Sequence, residues 1–254
     1  MEKEVKYERL RFFNLLMGFL HLFQSAIMLY LSSDKKWPVY ITYLRFDEIK
    51  RTLVPTTDKI FDIQLAPLVA LFLLISAIAH FLISTILYRR YVEKLKSNIN
   101  PYRWYEYSIS ASLMIVIIAI LTGIYELGTL IALFALTGIM NLMGLMMEIH
   151  NQTTKKTNWA SYIIGCIAGI VPWVVIAISL AAGALYGGEM PFFVIVIYFS
   201  IAFFFNLFAV NMFLQYKKIG KWKDYLYGEK IYIILSLVAK SLLAWQIFFG
   251  TLQP

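Results

Sequence analysis

"YIILSLVAKSLLAW" (residues 232–245) is apolar almost from end to end, yet Lys240 stands in its middle. A charged side chain at the centre of a membrane helix costs about 2.5–3.5 kcal/mol, so its presence needs a reason. Lys240 lies about ten residues, or about 15 Å of helical rise, from either plausible end of the segment, too far for a lysine stem to reach the interface comfortably. Two readings remain. One is a buried ion pair. The other is a covalent attachment point, because a desolvated lysine loses its proton more readily and becomes a nucleophilic amine able to form a Schiff base with an aldehyde.

The rest of the chain makes that segment one of seven. Of 254 residues, 60% are apolar, 17% aromatic and only 15% charged. A bilayer core needs about 20 apolar residues per helix. Runs that qualify are 10–32, 65–88, 104–125, 128–148, 159–184, 191–214 and 231–252. The fold class expected is an all-α membrane protein, a seven-helix bundle forming a single domain over 1–254. The net charge of +8 does not mark a nucleic-acid binder, because the cations sit between apolar runs rather than in a basic soluble domain. One cysteine, Cys166, excludes an intramolecular disulfide. "MEKEVKYERLR" before the first span lacks a small-residue cleavage site, so that helix reads as retained. The long link, 33–64, carries "WPVYITYLRF" and "KIFDIQL", whose β-branched and aromatic residues in partial alternation predict a two-strand hairpin rather than an unstructured loop.

Sixteen lysines and arginines fall at the N-terminus and in the second, fourth and sixth links; six fall on the other side, all within 33–64. This asymmetry predicts a cytoplasmic N-terminus, with the hairpin and the C-terminus outside.

Carboxylates at membrane depth are few. Glu126 and Glu148 lie at span ends and Glu189 in a short loop. Glu106, in the first turns of span three, is the candidate partner for Lys240. Both spans start on the same side, and side chains lean toward a helix N-terminus, so Lys240 reaches toward Glu106. Counted from the apolar centres, Glu106 sits shallower by several residues, and an interfacial glutamate is the alternative. Polar residues form stripes: Ser76, His80 and Ser84 on span two; Glu106 and Ser110 on span three; Ser236 and Lys240 on span seven; Asn14, His21 and Ser25 on span one. Such faces turn inward. The two membrane histidines lack HxxxH spacing or a thiolate, which favours a hydrogen-bonded network over a metal site. Asn141, Asn206 and Asn211 are expected to tie helices together. Pro172 and Trp173 on span five, "FFFNLF" on span six and Trp245 on span seven suit either membrane packing or a rigid apolar ligand. HExxH, GxSxG, P-loop and CxxC motifs are missing, and the chain does not read as an enzyme.

The segments "RWYEYSISASLMIVIIA", "GCIAGIVPWV" and "LQYKKIGKWKDYLYGEKIYIILSLVAKSLLAWQIFFGTL", in that order, resemble heliorhodopsins. These are retinal proteins of rhodopsin-like fold with an inverted topology, which matches the inward N-terminus. The resemblance spans the chain. It implies all-trans retinal on Lys240 as a protonated Schiff base, with Glu106 as counterion. It places Ser76, Ser110 and Ser236 around that nitrogen, and His21, His80 and Ser84 in an inner polar cavity. It sets Met140, Trp173 and Phe205 along the polyene and ring. It further implies a homodimer formed through the outward loop, a light signal passed to a cytoplasmic partner, and no enzymatic activity. Light-driven proton pumps of the wider rhodopsin group carry a second acid eleven residues after the first on span three. Here that position is Ile117, so a sensor is expected rather than a pump or channel.

Overall fold

The computed structural model describes residues 2–188 and 191–252. Glu189 and the last two residues of the tail lie outside the described residues. Among the described residues, seven helices are long and apolar enough to cross a membrane. They are α1 (Glu2–Leu31), α2 (Leu65–Ser84), α4 (Pro101–Leu121), α5 (Leu127–His150), α6 (Ala160–Tyr186), α7 (Phe192–Tyr216) and α8 (Tyr225–Ile247). An eighth helix, α3 (Tyr88–Lys96), is short. The strands β1 (Lys36–Asp47) and β2 (Thr52–Gln64) pair antiparallel with a register shift between Val39 and Tyr40.

Caps, more than hydropathy, set the helix ends. Asn100 accepts the backbone N–H of Arg103 at 3.2 Å, and Pro101 occupies the first turn, where its missing N–H costs nothing. The third span therefore starts at 101 rather than 104. Asp224 accepts the N–H of Leu226 at 3.0 Å and pairs with Lys6 at 3.2 Å. This starts the seventh span at Tyr225, six residues before its apolar run. Glu126 closes the start of α5, accepting from the backbone N–H groups of Gly128 and Thr129 at 3.0 and 2.5 Å. These N–H donors hold its carboxyl below the usual range.

The second span, expected to reach 88, ends at Ser84 and gives way to α3. That helix buries Tyr91 and Leu95, four residues apart, and exposes its basic face. Tyr88 at its start donates to Glu8 at 2.9 Å, under the Arg11 guanidinium 4.5 Å from the ring centroid. Burial, and then that bond to Glu8, push the Tyr88 hydroxyl up to about 12.

The seven spans close into a ring: α1 packs on α2, α2 on α4, α4 on α5, α5 on α6, α6 on α7, α7 on α8 and α8 on α1. The most enclosed helix is α4, 67% buried over its apolar window against 17% for α7. The exposed apolar residues of α6 and α7, among them Ile163, Ile167, Ile170, Phe199 and Phe203, face where lipid would lie. In lipid, close packing and interhelical hydrogen bonds hold helices together. Gly144 of α5 lets the Trp104 ring of α4 lie against its backbone; a Cβ there would fall 2.5–2.7 Å from the indole. Of the three asparagines expected to join helices, Asn211 does so, donating to Gly228 O at 3.1 Å and accepting from Trp222 Nε1 at 2.6 Å. Asn141 and Asn206 bond instead to i−4 carbonyls of their own helices, Thr137 and Ala202, the local acceptors a short amide side chain reaches on a helix.

The hairpin docks on the bundle only at its base. Trp37 and Val39 are buried with Leu65, Val69 and Phe72, and the Tyr40 N–H donates to Tyr125 O at 2.9 Å. Its outer half leaves Leu44, Phe46, Ile49 and Leu53 exposed.

Candidate functional site

Lys240 lies inside the bundle, its side chain 4% exposed. Its Nζ donates to Glu106 Oε1 at 2.6 Å and to Ser76 Oγ at 2.6 Å. Ser76 Oγ is 2.7 Å from the same carboxylate oxygen and 3.1 Å from the Phe72 carbonyl. Three helices, α2, α4 and α8, thus meet at one charge pair. The Glu106 side chain is 8% exposed, so it is no interfacial residue. Ser110, one turn further along α4, stands beside the carboxylate with its hydroxyl outside ideal hydrogen-bond geometry. Ser236, one turn before Lys240, faces the Tyr107 hydroxyl in the same way. The amine stands over the Tyr107 ring, 5.1 Å from its centroid, and the Tyr107 hydroxyl donates to Tyr232 O at 3.0 Å.

The expected depth mismatch is real and is absorbed by side chains. Arg103 meets Glu229, and Lys240 meets Glu106. Three residues separate the pair on α4 and eleven separate it on α8, a difference of about 12 Å of rise. Arg103 and Lys240 are both long, and both lean toward their helix N-termini, which share one end of the bundle.

On one side of Lys240 is an apolar slot. A narrow part of about 40 Å³ is lined by Tyr107, Met114, Met140, Phe205, Ser236 and Lys240. Met140, Asn141, Phe205 and Phe208 are shared with a wider part of about 370 Å³ between α5, α6 and α7. Trp173 walls that part, edge-on to Phe205 (5.3 Å between centroids) and Tyr198 (5.6 Å). Pro172 before it has no N–H, so the i−4 carbonyl lacks its helical donor there.

On the other side the surroundings are polar. The His80 Nδ1–H donates to Asn14 Oδ1 at 2.8 Å, and His21 stacks on His80 at 5.7 Å and 11°. Among the described residues neither ring nitrogen of His21 has a hydrogen-bond partner, and neither does the Ser84 hydroxyl, although both residues are fully buried. A cavity of about 30 Å³ runs from Glu106 and His80 to Arg103, Asn100 and Glu229. His21 and Ser84 stand outside its lining.

Sequence reasoning missed that far wall. Arg103, counted among the surface cations, is 6% exposed. It binds Glu148 at 2.5 Å and also Glu229, and its guanidinium lies 4.0 Å from the Tyr232 ring centroid. Glu148, placed at a span end, is 1% exposed, as is Glu229. A signal was present: Glu229, Ser236 and Lys240 are spaced i, i+7, i+11, one face of a helix. An apolar window opening at 231 cuts that face short.

Seven membrane helices around a buried lysine, an acid held against its amine and an apolar slot leading away define the class of retinal-binding rhodopsins. Residues 10–252 match the heliorhodopsin family, and the chain belongs to it. No curated protein matches the chain. The family implies a retinal chromophore and is not a classical enzyme family. The residues present fit such a group. The slot is mostly apolar, with Asn141 and Asn206 among its few polar walls, ends in a primary amine, and has a carboxylate beside the nitrogen to balance a positive charge.

Proposed function

We propose that the chain is a light-sensing photoreceptor carrying all-trans retinal on Lys240 as a protonated Schiff base. The observation that carries this reading is the buried Nζ of Lys240, 2.6 Å from Glu106, at the closed end of the slot. The chromophore supplies light absorption and a change of shape on isomerisation. The protein supplies the rest. Glu106 keeps positive charge at the Lys240 nitrogen, and Ser76, bonded to both, fixes the pair's geometry. Ser110 and Ser236 stand by to take up displaced hydrogen bonds. Met140, Trp173 and Phe205 hold the chain and ring of the pigment, and Trp173 reads its movement into α6. His21 and Ser84, unpaired among the described residues, and His80, bonded to Asn14, give the polar side groups able to bind a displaced proton or reorient around water.

The output is a conformational signal without net ion transport. From Leu113 to Leu121, α4 carries no polar side chain. Ile117, Ile118 and Ile120 there are fully buried among apolar neighbours. Toward the α3 end a proton leaving the Lys240 site meets the polar cavity lined by His80, Asn14, Asn100 and Glu229. The cation asymmetry supports that end, with the N-terminus, as cytoplasmic, and a signalling partner there. The hairpin's exposed Leu44, Phe46 and Leu53 support a homodimer formed through the outward loop. All of 1–254 acts as one domain.

Two measurements test this. Adding all-trans retinal to the purified apoprotein should produce a visible absorption band; its absence rejects the reading. In illuminated expressing cells a pH electrode should register no protonophore-sensitive change. A sustained, protonophore-sensitive shift would make the protein a pump.

A further inference from the structure

The cluster on the far wall of the polar cavity is out of charge balance. Among the described residues, Arg103 is the one cation acting on Glu229, and it faces two carboxylates. The other titratable groups facing them are the phenols of Tyr91, Tyr107, Tyr216, Tyr225 and Tyr232, all neutral at pH 7. Across the cavity, Lys240 is already paired with Glu106, and His80 is bonded to Asn14. With both acids ionised the cluster would hold a net negative charge away from water, a state buried sites avoid by taking up a proton.

The hydrogen bonds say which acid takes it. Glu148 receives four donors, two on each oxygen: Arg103 Nη2 (2.5 Å) and the Tyr225 hydroxyl (3.0 Å) on Oε1, the Asn100 N–H (2.8 Å) and Trp104 Nε1 (2.8 Å) on Oε2. That fills all four lone-pair sites of an ionised carboxylate, so a proton there would have to displace a donor. Glu229 receives three: Asn100 Nδ2 (2.6 Å) and the Tyr91 hydroxyl (3.2 Å) on Oε1, and Arg103 Nη1 on Oε2. The Tyr91 hydroxyl can turn and accept instead, and its contact is the longest of the set. Asn100 cannot turn, because its Oδ1 caps α4. Glu229 also lines the cavity, whereas Glu148 does not. About 30 Å³ is room for one or two waters among the cavity's polar groups.

We propose that Glu229 is a second proton-holding site: it carries one exchangeable proton in the dark, and the cavity couples it to the Lys240–Glu106 pair. A change of charge at that pair is then felt by the Glu229 O–H through the cavity water. The proton rests on the cluster's own geometry; its coupling to light rests on the photoreceptor reading.

Infrared spectroscopy of the purified pigment at pH 7 separates the two. Exposed carboxyls are ionised at that pH. The expected result is a carboxylic-acid C=O band in the dark that moves on ¹³C-glutamate labelling, shifts in Glu229→Asp and disappears in Glu229→Gln. Tyr91→Phe should also shift it, while Tyr225→Phe, beside Glu148, should not. The phenylalanine variants keep the charges intact, so they decide the matter if the carboxyl variants fail to fold. Illumination should move the same band. Absence of a labelled band in the dark would overturn the proposal, as would a band that follows Tyr225→Phe rather than Tyr91→Phe. A dark band that light leaves unmoved in a pigment that bleaches and recovers would overturn the coupling.

Discussion

Two buried ion groups share α4 and α8, and they are built to opposite ends. Around Arg103 most polar contacts are closed, its own Nε and the Tyr232 hydroxyl excepted: two carboxylates, an amide, an indole and two phenols knit α3, α4, α5 and α8 together. Around Lys240 there is one acid and one serine, and beyond them an open slot and two unpaired hydroxyls. The choice of cation matches. A guanidinium keeps its charge in any protein environment and presents a rigid fork to two carboxylates at once. An amine exchanges its proton and can form a covalent bond. One group holds the helices; the other is left able to change.

The largest effect should come from removing that ability while keeping the charge. Lys240→Arg retains a cation opposite Glu106, and Lys240→Ala removes it. On the attachment reading both should fold and neither should show a visible band with retinal. A band in either purified variant would end the distinction drawn between the two sites.

Next in size is the opposite test, at the closed group. Arg103→Met leaves two carboxylates buried without a cation, a change of about 3–5 kcal/mol at sites of this kind. Thermal unfolding should shift down sharply, while the visible band of the folded fraction should keep its position. If Arg103→Met unfolds no earlier than the parent, the cluster is not what ties these helices.

A spectral effect without a large loss of stability is expected at Glu106. Glu106→Gln keeps the hydrogen-bonding shape but removes the charge that holds positive charge at the Lys240 nitrogen. Pigment that remains protonated should absorb further to the red, and part of the population should absorb in the near ultraviolet as the deprotonated form. An unchanged spectrum and titration would mean that Glu106 is a structural partner, like Glu148.

The comparison also explains what was legible in the sequence. Lys240 announced itself because a cation inside an apolar run is rare. The seven spans and the hairpin followed from apolar run lengths and strand alternation. Glu106 was found, but its depth looked wrong, because residue counting ignores the reach of two long side chains leaning the same way. Arg103, Glu148 and Glu229 were hidden by their positions at span ends. There a charged residue reads as wet, and only the fold, by starting α8 at Tyr225 and burying the first turns of α4, makes them dry. The short helix α3 carried a signal in Tyr91 and Leu95, four residues apart, that a search for long apolar runs passes over.

The smallest effect is expected at the hairpin end, where Glu126 is a half-buried acid without the near-complete burial that defines the other two groups. It caps α5 beside Tyr125, the residue that accepts the N–H of Tyr40 and so anchors the hairpin. Backbone N–H groups hold the folded carboxyl below its unfolded value. The sign follows from linkage: the folded state binds this proton less tightly than the unfolded state. The stabilisation is therefore complete above the unfolded value of about 4.3 and is lost as pH falls through the folded one. Glu126→Ala should cost about 0.5–1 kcal/mol at pH 7, the ordinary worth of a cap. Thermal unfolding of the parent and of Glu126→Gln, compared from pH 7 down to pH 3, should converge at the acid end. A gap that stays constant over that range would show that the carboxylate charge contributes nothing to the cap.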